Sequence, residues 1–190
     1  MVYNKTYIRS VLRGVEGLNI AIVYSTRGGT ARECAELLKR ELDNFSVKLF
    51  ELGKCEPDLS AFDLCVIGFP IRMAKAEKLS RNYIKAHSDE LKRMKTAYVI
   101  VCGFVDCFDE YAERVIPADL REPAVAISCF GGSLDPKRVS GIDRMIVKAV
   151  RADILGGGDN ADQRKDISLP TVLEANIAQF ANVIKSIAAN

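Results

Sequence analysis

Tryptophan is absent from this 190-residue chain, and histidine occurs once, as His87. A single histidine, set in the helical stretch KAHSDE, argues against hydrolases that need a histidine base. It argues equally against zinc sites built from histidine or clustered cysteine. The six cysteines include no Cys-x-x-Cys pair. Cys65, Cys102 and Cys129 fall inside apolar runs that read as buried strands, where a thiol behaves as a small hydrophobe. A reduced compartment is therefore expected rather than a disulfide framework. Neither sign of charge dominates, since 27 basic and 25 acidic residues leave a net +2. That balance offers no general case for a nucleic-acid partner and differs from strongly acidic shuttle proteins. No apolar run is long enough to span a bilayer. The opening residues MVYNKTYIRSVLRG interleave charges with apolar side chains, unlike a secretory leader. A soluble, cytoplasmic protein is expected.

The chain alternates strand and helix patterns. Residues 1–17 read as an N-terminal extension and 18–190 as one domain, a size that buries a substantial core. Residues 18–24 (LNIAIVY) form a nearly continuous apolar run of the kind buried on both faces of a parallel sheet. A helix is expected over about 30–43, where Ala31, Cys34, Ala35, Leu38 and Leu42 recur at helical spacing. Further strands are expected over 47–52, 62–68, 96–103 and 124–130. Helices are expected over about 76–94, 110–115, 141–155 and 171–187. Strands alternating with helices imply a parallel sheet, right-handed crossovers and helices on both faces. In such sheets a ligand sits beyond the carboxyl ends of the strands, where strand order reverses.

The first strand runs into YSTRGGTARE, placing Ser25, Thr26, Arg27, Gly28, Gly29 and Thr30 before a helix. Glycines let the backbone curl closely around a ligand. Hydroxyls donate to phosphate oxygens, and a helix start favours an anion. The loop lacks both the dinucleotide G-x-G-x-x-G and the Gly-Lys-Ser/Thr ending of a P-loop. A terminal phosphate monoester suits it better than a pyrophosphate. The same residues are also compatible with a plain capped helix start after a glycine turn. An acidic phosphoacceptor pocket is missing, because this strand ends in Tyr24, Ser25 and Thr26.

The pattern Ser25-x-x-Gly28-x-Thr30 after a buried first strand resembles the phosphate loop of flavodoxins. Arg27 stands where that loop usually has a central threonine. Two later stretches, VIGFPIRMAKAEKLSRNYIKAH and IDRMIVKAVRADILGGGDNADQRKDIS, resemble the menaquinone-dependent protoporphyrinogen dehydrogenases, a flavodoxin-like family. The matching positions in the second stretch are Asp143, Arg144, Ile146, Lys148, Gly157, Asp159, Arg164 and Lys165. The resemblance spans roughly residues 20–180. It implies a three-layer flavodoxin-like sandwich, with a five-stranded parallel sheet in the order 2-1-3-4-5 and non-covalently held FMN. It further implies FMN contacts from Pro70, Ile71, Arg72, Met73 and Ala74 in a second loop, and from Gly103, Phe104, Val105 and Asp106 in a third.

Several of these residues carry two readings. Met73 replaces an aromatic residue common in the family, and either packs its thioether on the flavin ring or simply faces the core. Phe104 is a stacking aromatic or a core anchor. Cys107 has no partner cysteine close in sequence and reads as a bystander thiol. Lys137, Arg138, Arg144, Lys148 and Arg151 interleave with Val139, Ile142, Met145, Ile146 and Val150. This is an ordinary surface helix, or a basic amphipathic one resting on an anionic membrane. Tyr3, Tyr7, Ile8, Val11, Leu12 and Val15 raise the same membrane question, or a homodimer contact. The resemblance implies an FMN-dependent oxidoreductase with a small-molecule donor and a quinone or protein redox partner. A flavodoxin-type electron carrier is the alternative, and a scaffold that has lost its flavin is a third.

Overall fold

A computed structural model of the chain describes residues 17–72, 74–156 and 169–188. The expected extension over 1–17 lies almost wholly outside these residues, as do Met73, Gly157, Asp159, Arg164 and Lys165. The strands are β1 (Asn19–Tyr24), β2 (Ser46–Glu51), β3 (Leu64–Arg72), β4 (Lys75–Ala76), β5 (Lys95–Val101) and β6 (Ala126–Cys129). The helices are α1 (Thr30–Glu41), α2 (Lys78–Ala86), α3 (Ser88–Leu91), α4 (Phe108–Val115), α5 (Ala118–Arg121), α6 (Gly141–Gly156) and α7 (Glu174–Ala188). Five strands pair in parallel in the order β2-β1-β3-β5-β6, and β4 adds a short antiparallel hairpin to the end of β3. This is the flavodoxin-like sheet expected from the sequence, with one strand more.

Period-two alternation builds the two sides of the core. Ile20, Ile22, Leu64, Val66, Ala97 and Val99 face a layer formed by α1 and α7, including Leu38, Phe180 and Ile184. The intervening Ala21, Val23, Cys65, Ile67, Tyr98 and Ile100 face the opposite layer, where Tyr83 of α2, Leu91 of α3 and Tyr111 of α4 pack. Register follows from the same pattern, with Ile20 opposite Leu64 and Ile67 opposite Tyr98.

Two expectations change. The helix expected over 76–94 is broken at His87, which ends α2 and precedes α3. Ser88, Asp89 and Glu90 at the new start are residues that favour a helix N-terminus over an interior. His87 itself is half-buried, with its ring 4.5 Å from that of Tyr83. The second change concerns strand length. β3 continues to Arg72, so the second loop is the tip of a β3–β4 hairpin, and Ala74 there takes a left-handed φ of 59°.

After β6 the chain turns tightly against its neighbours. Gly131 has φ 71°, and a Cβ there would meet the Thr171 carbonyl oxygen at 2.2 Å. Gly131 also bridges Val172, tying this turn to the approach of α7. The segment that follows, through α6, is carried back over the carboxyl edge of the sheet.

Candidate functional site

A cavity of about 280 Å³ opens above the carboxyl ends of β1, β3 and β5. Thr26, Arg27, Gly28 and Thr30 line it from the first loop. Pro70, Ile71, Arg72 and Ala74 line it from the β3–β4 hairpin, and Gly103 and Phe104 from the turn after β5. Val101, Cys102, Tyr111, Gly132, Ser133 and Leu134 complete the base, while Val139, Asp143, Ile146, Val147 and Val150 cover it.

The first loop is ordered by its own hydroxyl. Thr26 Oγ1 accepts the Gly29 N–H at 3.0 Å, and Gly29 takes φ 82°, a conformation that suits glycine. No side chain caps the start of α1. Its first-turn N–H groups therefore add positive potential beside the Thr26 and Thr30 hydroxyls.

Ser25 behaves differently from its neighbours. It is fully buried, with its Oγ 2.7 Å from Ser80 Oγ, and Ser80 in turn donates to the Gly68 carbonyl at 3.2 Å. The structure therefore turns Ser25 toward α2 and away from the cavity. Gly29, Val105 and Asp106 also lie off the cavity lining, the last two in a short 3-10 turn over Val105–Cys107. Phe104 is 49% exposed, so it is not a core anchor.

Charges at the mouth are paired across three separate segments. Arg27 Nε lies 3.5 Å from Glu77, and its Nη1 lies 3.6 Å from Asp143. Asp143 also pairs closely with Arg72. Glu77 additionally caps α2 by accepting the Leu79 N–H at 3.0 Å. Arg138, just before α6, pairs closely with Glu33 of α1. Sequence reasoning singled out Asp143 only through a family resemblance, and Ile146 both through it and as part of the amphipathic pattern. Nothing local to the sequence could show that α6 folds back over loop one, because Arg138 and Glu33 stand 105 residues apart.

Cys102, which lines the cavity, meets a second thiol behind it. Cys102 and Cys129, on neighbouring strands, have sulfurs 3.7 Å apart, and Cys129 accepts the Gly131 N–H at 3.4 Å. Contact with Cys129 and burial push the Cys102 thiol well above the usual range. All six cysteines are free. Among the described residues there is no cluster of histidine, cysteine or carboxylate side chains suited to a metal ion. No helix among them is long and apolar enough to cross a membrane.

These features define an open, doubly wound α/β protein with a cavity at its topological switch point. The chain belongs to the flavodoxin-domain family, whose model matches residues 21–161. No curated protein sequence matches it. Among solved structures, it is similar to a Fusobacterium nucleatum flavodoxin bound to flavin mononucleotide, at 11% identity and TM-score 0.47 over 89% of this chain and 98% of that one. It is also similar to oxidised flavodoxin 1 from Bacillus cereus, at 10% identity and TM-score 0.45 over 71% and 95% of the two chains. Rubredoxin oxygen:oxidoreductase from Desulfovibrio gigas aligns at 12% identity and TM-score 0.47, over 92% of this chain and 38% of that one.

Proposed function

We propose that the cavity holds FMN and that the protein is an FMN-dependent oxidoreductase. One observation carries this reading: two threonine hydroxyls, two arginines and an uncapped helix start converge on one cavity at the carboxyl edge of a flavodoxin sheet. The donor set fits a phosphate monoester, and the apolar walls suit a flat ring. Thr26 keeps its own O–H free to donate while its oxygen holds Gly29. Thr30 and Arg27 add a second hydroxyl and a cation. Arg72 brings positive charge from the hairpin, where it would favour an anionic edge of the ring. Ile146, Val147 and Val150 add apolar wall from α6. FMN supplies the redox chemistry when bound; the protein supplies anchorage, orientation and local charge.

The donor is proposed to be a porphyrinogen or similar organic reductant, and the acceptor a quinone. The apolar cover formed by α6 supports a small-molecule partner over a purely surface exchange. The outward side of α6 sets Ile142 and Met145, 74% and 71% exposed, beside the exposed Arg144 and Lys148. This face suits peripheral contact with an anionic membrane, where a quinone would be within reach. A flavodoxin-type carrier is the second reading, favoured by the same exposed apolar face as a protein docking surface. Anaerobic mixing of FMN-loaded protein with porphyrinogen and quinone separates the two. Turnover that requires both reagents is the expected result. Reduction by a flavoprotein reductase, with no turnover of any organic donor, would establish the carrier instead.

A further inference from the structure

The cavity mouth is closed by the protein's own groups. Its volume of about 280 Å³ lies just below the range for small-molecule sites, roughly 300–1,000 Å³. The space directly over the first loop is filled, because a Cβ placed on Gly28 would meet Val139 Cγ1 at 3.0 Å. Beside it, Asp143 holds Arg27 and Arg72 together although they come from different loops. Asp143 is 82% shielded from solvent at its side chain, so this pairing is screened less than a surface ion pair. Glu77 supplies the second carboxylate on Arg27. Two arginines thus face two carboxylates, and the mouth is balanced without any ligand.

A phosphate entering this mouth meets carboxylates already seated on the cations it needs. Like charges held this close in a partly dry site repel strongly. We infer that Asp143 is a built-in counter-anion that sets ligand specificity: a ligand phosphate takes over Arg27 and Arg72 from it, and α6 lifts off the first loop as it does so. The inference rests on the reading of the cavity as a site for a phosphate-bearing flavin. A flavin without phosphate has nothing to exchange for Asp143 and binds against the closed cover. The cover has a second fastening, Arg138 on Glu33, that touches neither arginine of the mouth. Gly141, with φ 57° and open space around it, gives the chain freedom to turn at the start of α6.

The test compares Asp143→Asn and Glu33→Gln with the wild-type chain, using FMN and riboflavin titrations by flavin fluorescence together with amide hydrogen exchange over residues 141–150. Asp143→Asn is expected to tighten FMN roughly fivefold more than riboflavin, the net scale of one ordinary hydrogen bond. Glu33→Gln loosens the cover without freeing the arginines, so it should change both flavins alike. Without any ligand, Asp143→Asn should also speed exchange in α6 roughly fivefold. Weaker FMN binding in Asp143→Asn, or an unchanged FMN-to-riboflavin ratio, would overturn the exchange of anions. If neither flavin binds any of the three proteins, the flavin reading falls, and the ligand-free exchange still decides the latch. Unchanged α6 exchange in Asp143→Asn would overturn it.

Discussion

Ser25 and Thr30 both begin as hydroxyls of one phosphate-type loop, and the structure gives them opposite tasks. Ser25 continues the strand alternation of Ala21 and Val23, so its side chain goes to the α2 side of the sheet and meets Ser80. That parity was legible in the sequence, but a family pattern with serine at the loop's start outweighed it. Ser25→Ala should therefore cost about 1–2 kcal/mol of stability through a lost buried hydrogen bond, read from the denaturation midpoint. It should leave the preference for FMN over riboflavin unchanged. Thr30→Ala should do the reverse, weakening FMN about tenfold more than riboflavin with little change in stability. Equal losses for both flavins in Thr30→Ala would show that the loop is not a phosphate site.

At the level of elements, helix and strand identities followed from periodicity because each is set by burial of a local stripe. Interruptions were less visible. The break at His87 depends on which of several polar residues serves as a helix start, and the β3–β4 hairpin depends on a left-handed Ala74 that nothing in its residue type demands. The turn after β6 depends on tertiary crowding. Gly131 stands where the Thr171 carbonyl and Leu173 leave no room for a side chain. Gly131→Ala combines a positive φ with a backbone clash, and should lower stability by about 3 kcal/mol or more. Thermal unfolding would check this, and a loss below about 1 kcal/mol would mean the turn relaxes freely. The periodicity of α6 was equally plain, but the partner it covers was not. Its apolar residues point both inward, as Ile146 and Val150 do, and outward, as Ile142 and Met145 do.

For the whole molecule, titration sets the range of stability. Glu51 is pushed up by desolvation, but hydrogen bonds from Lys54 and Arg32 outweigh this and hold it below its ordinary 4.5. Hydrogen bonds from Ser60 lower Asp58, and the bond to Lys92 lowers Asp119, both from 3.8. A depressed folded-state value stabilises above the unfolded value and is lost as pH falls through the folded one. Burial raises the Tyr83, Tyr98 and Cys65 side chains from ordinary values of 10.0, 10.0 and 9.0. A raised value stabilises below the unfolded value and is lost as pH climbs through the folded one. Stability should therefore be flat between about pH 5 and pH 8 and fall on both sides. Urea midpoints taken through that range and beyond both of its edges check it, and a maximum confined to acid pH would contradict it.

The central claim is that this flavodoxin sheet holds FMN at the cavity between Thr26, Thr30, Arg27 and Arg72. It is tested most directly by a visible absorption spectrum of the purified protein, before and after addition of FMN. The expected result is a protein-bound flavin spectrum and release of FMN, not riboflavin, on denaturation. A colourless protein whose spectrum with FMN equals that of free FMN would contradict it.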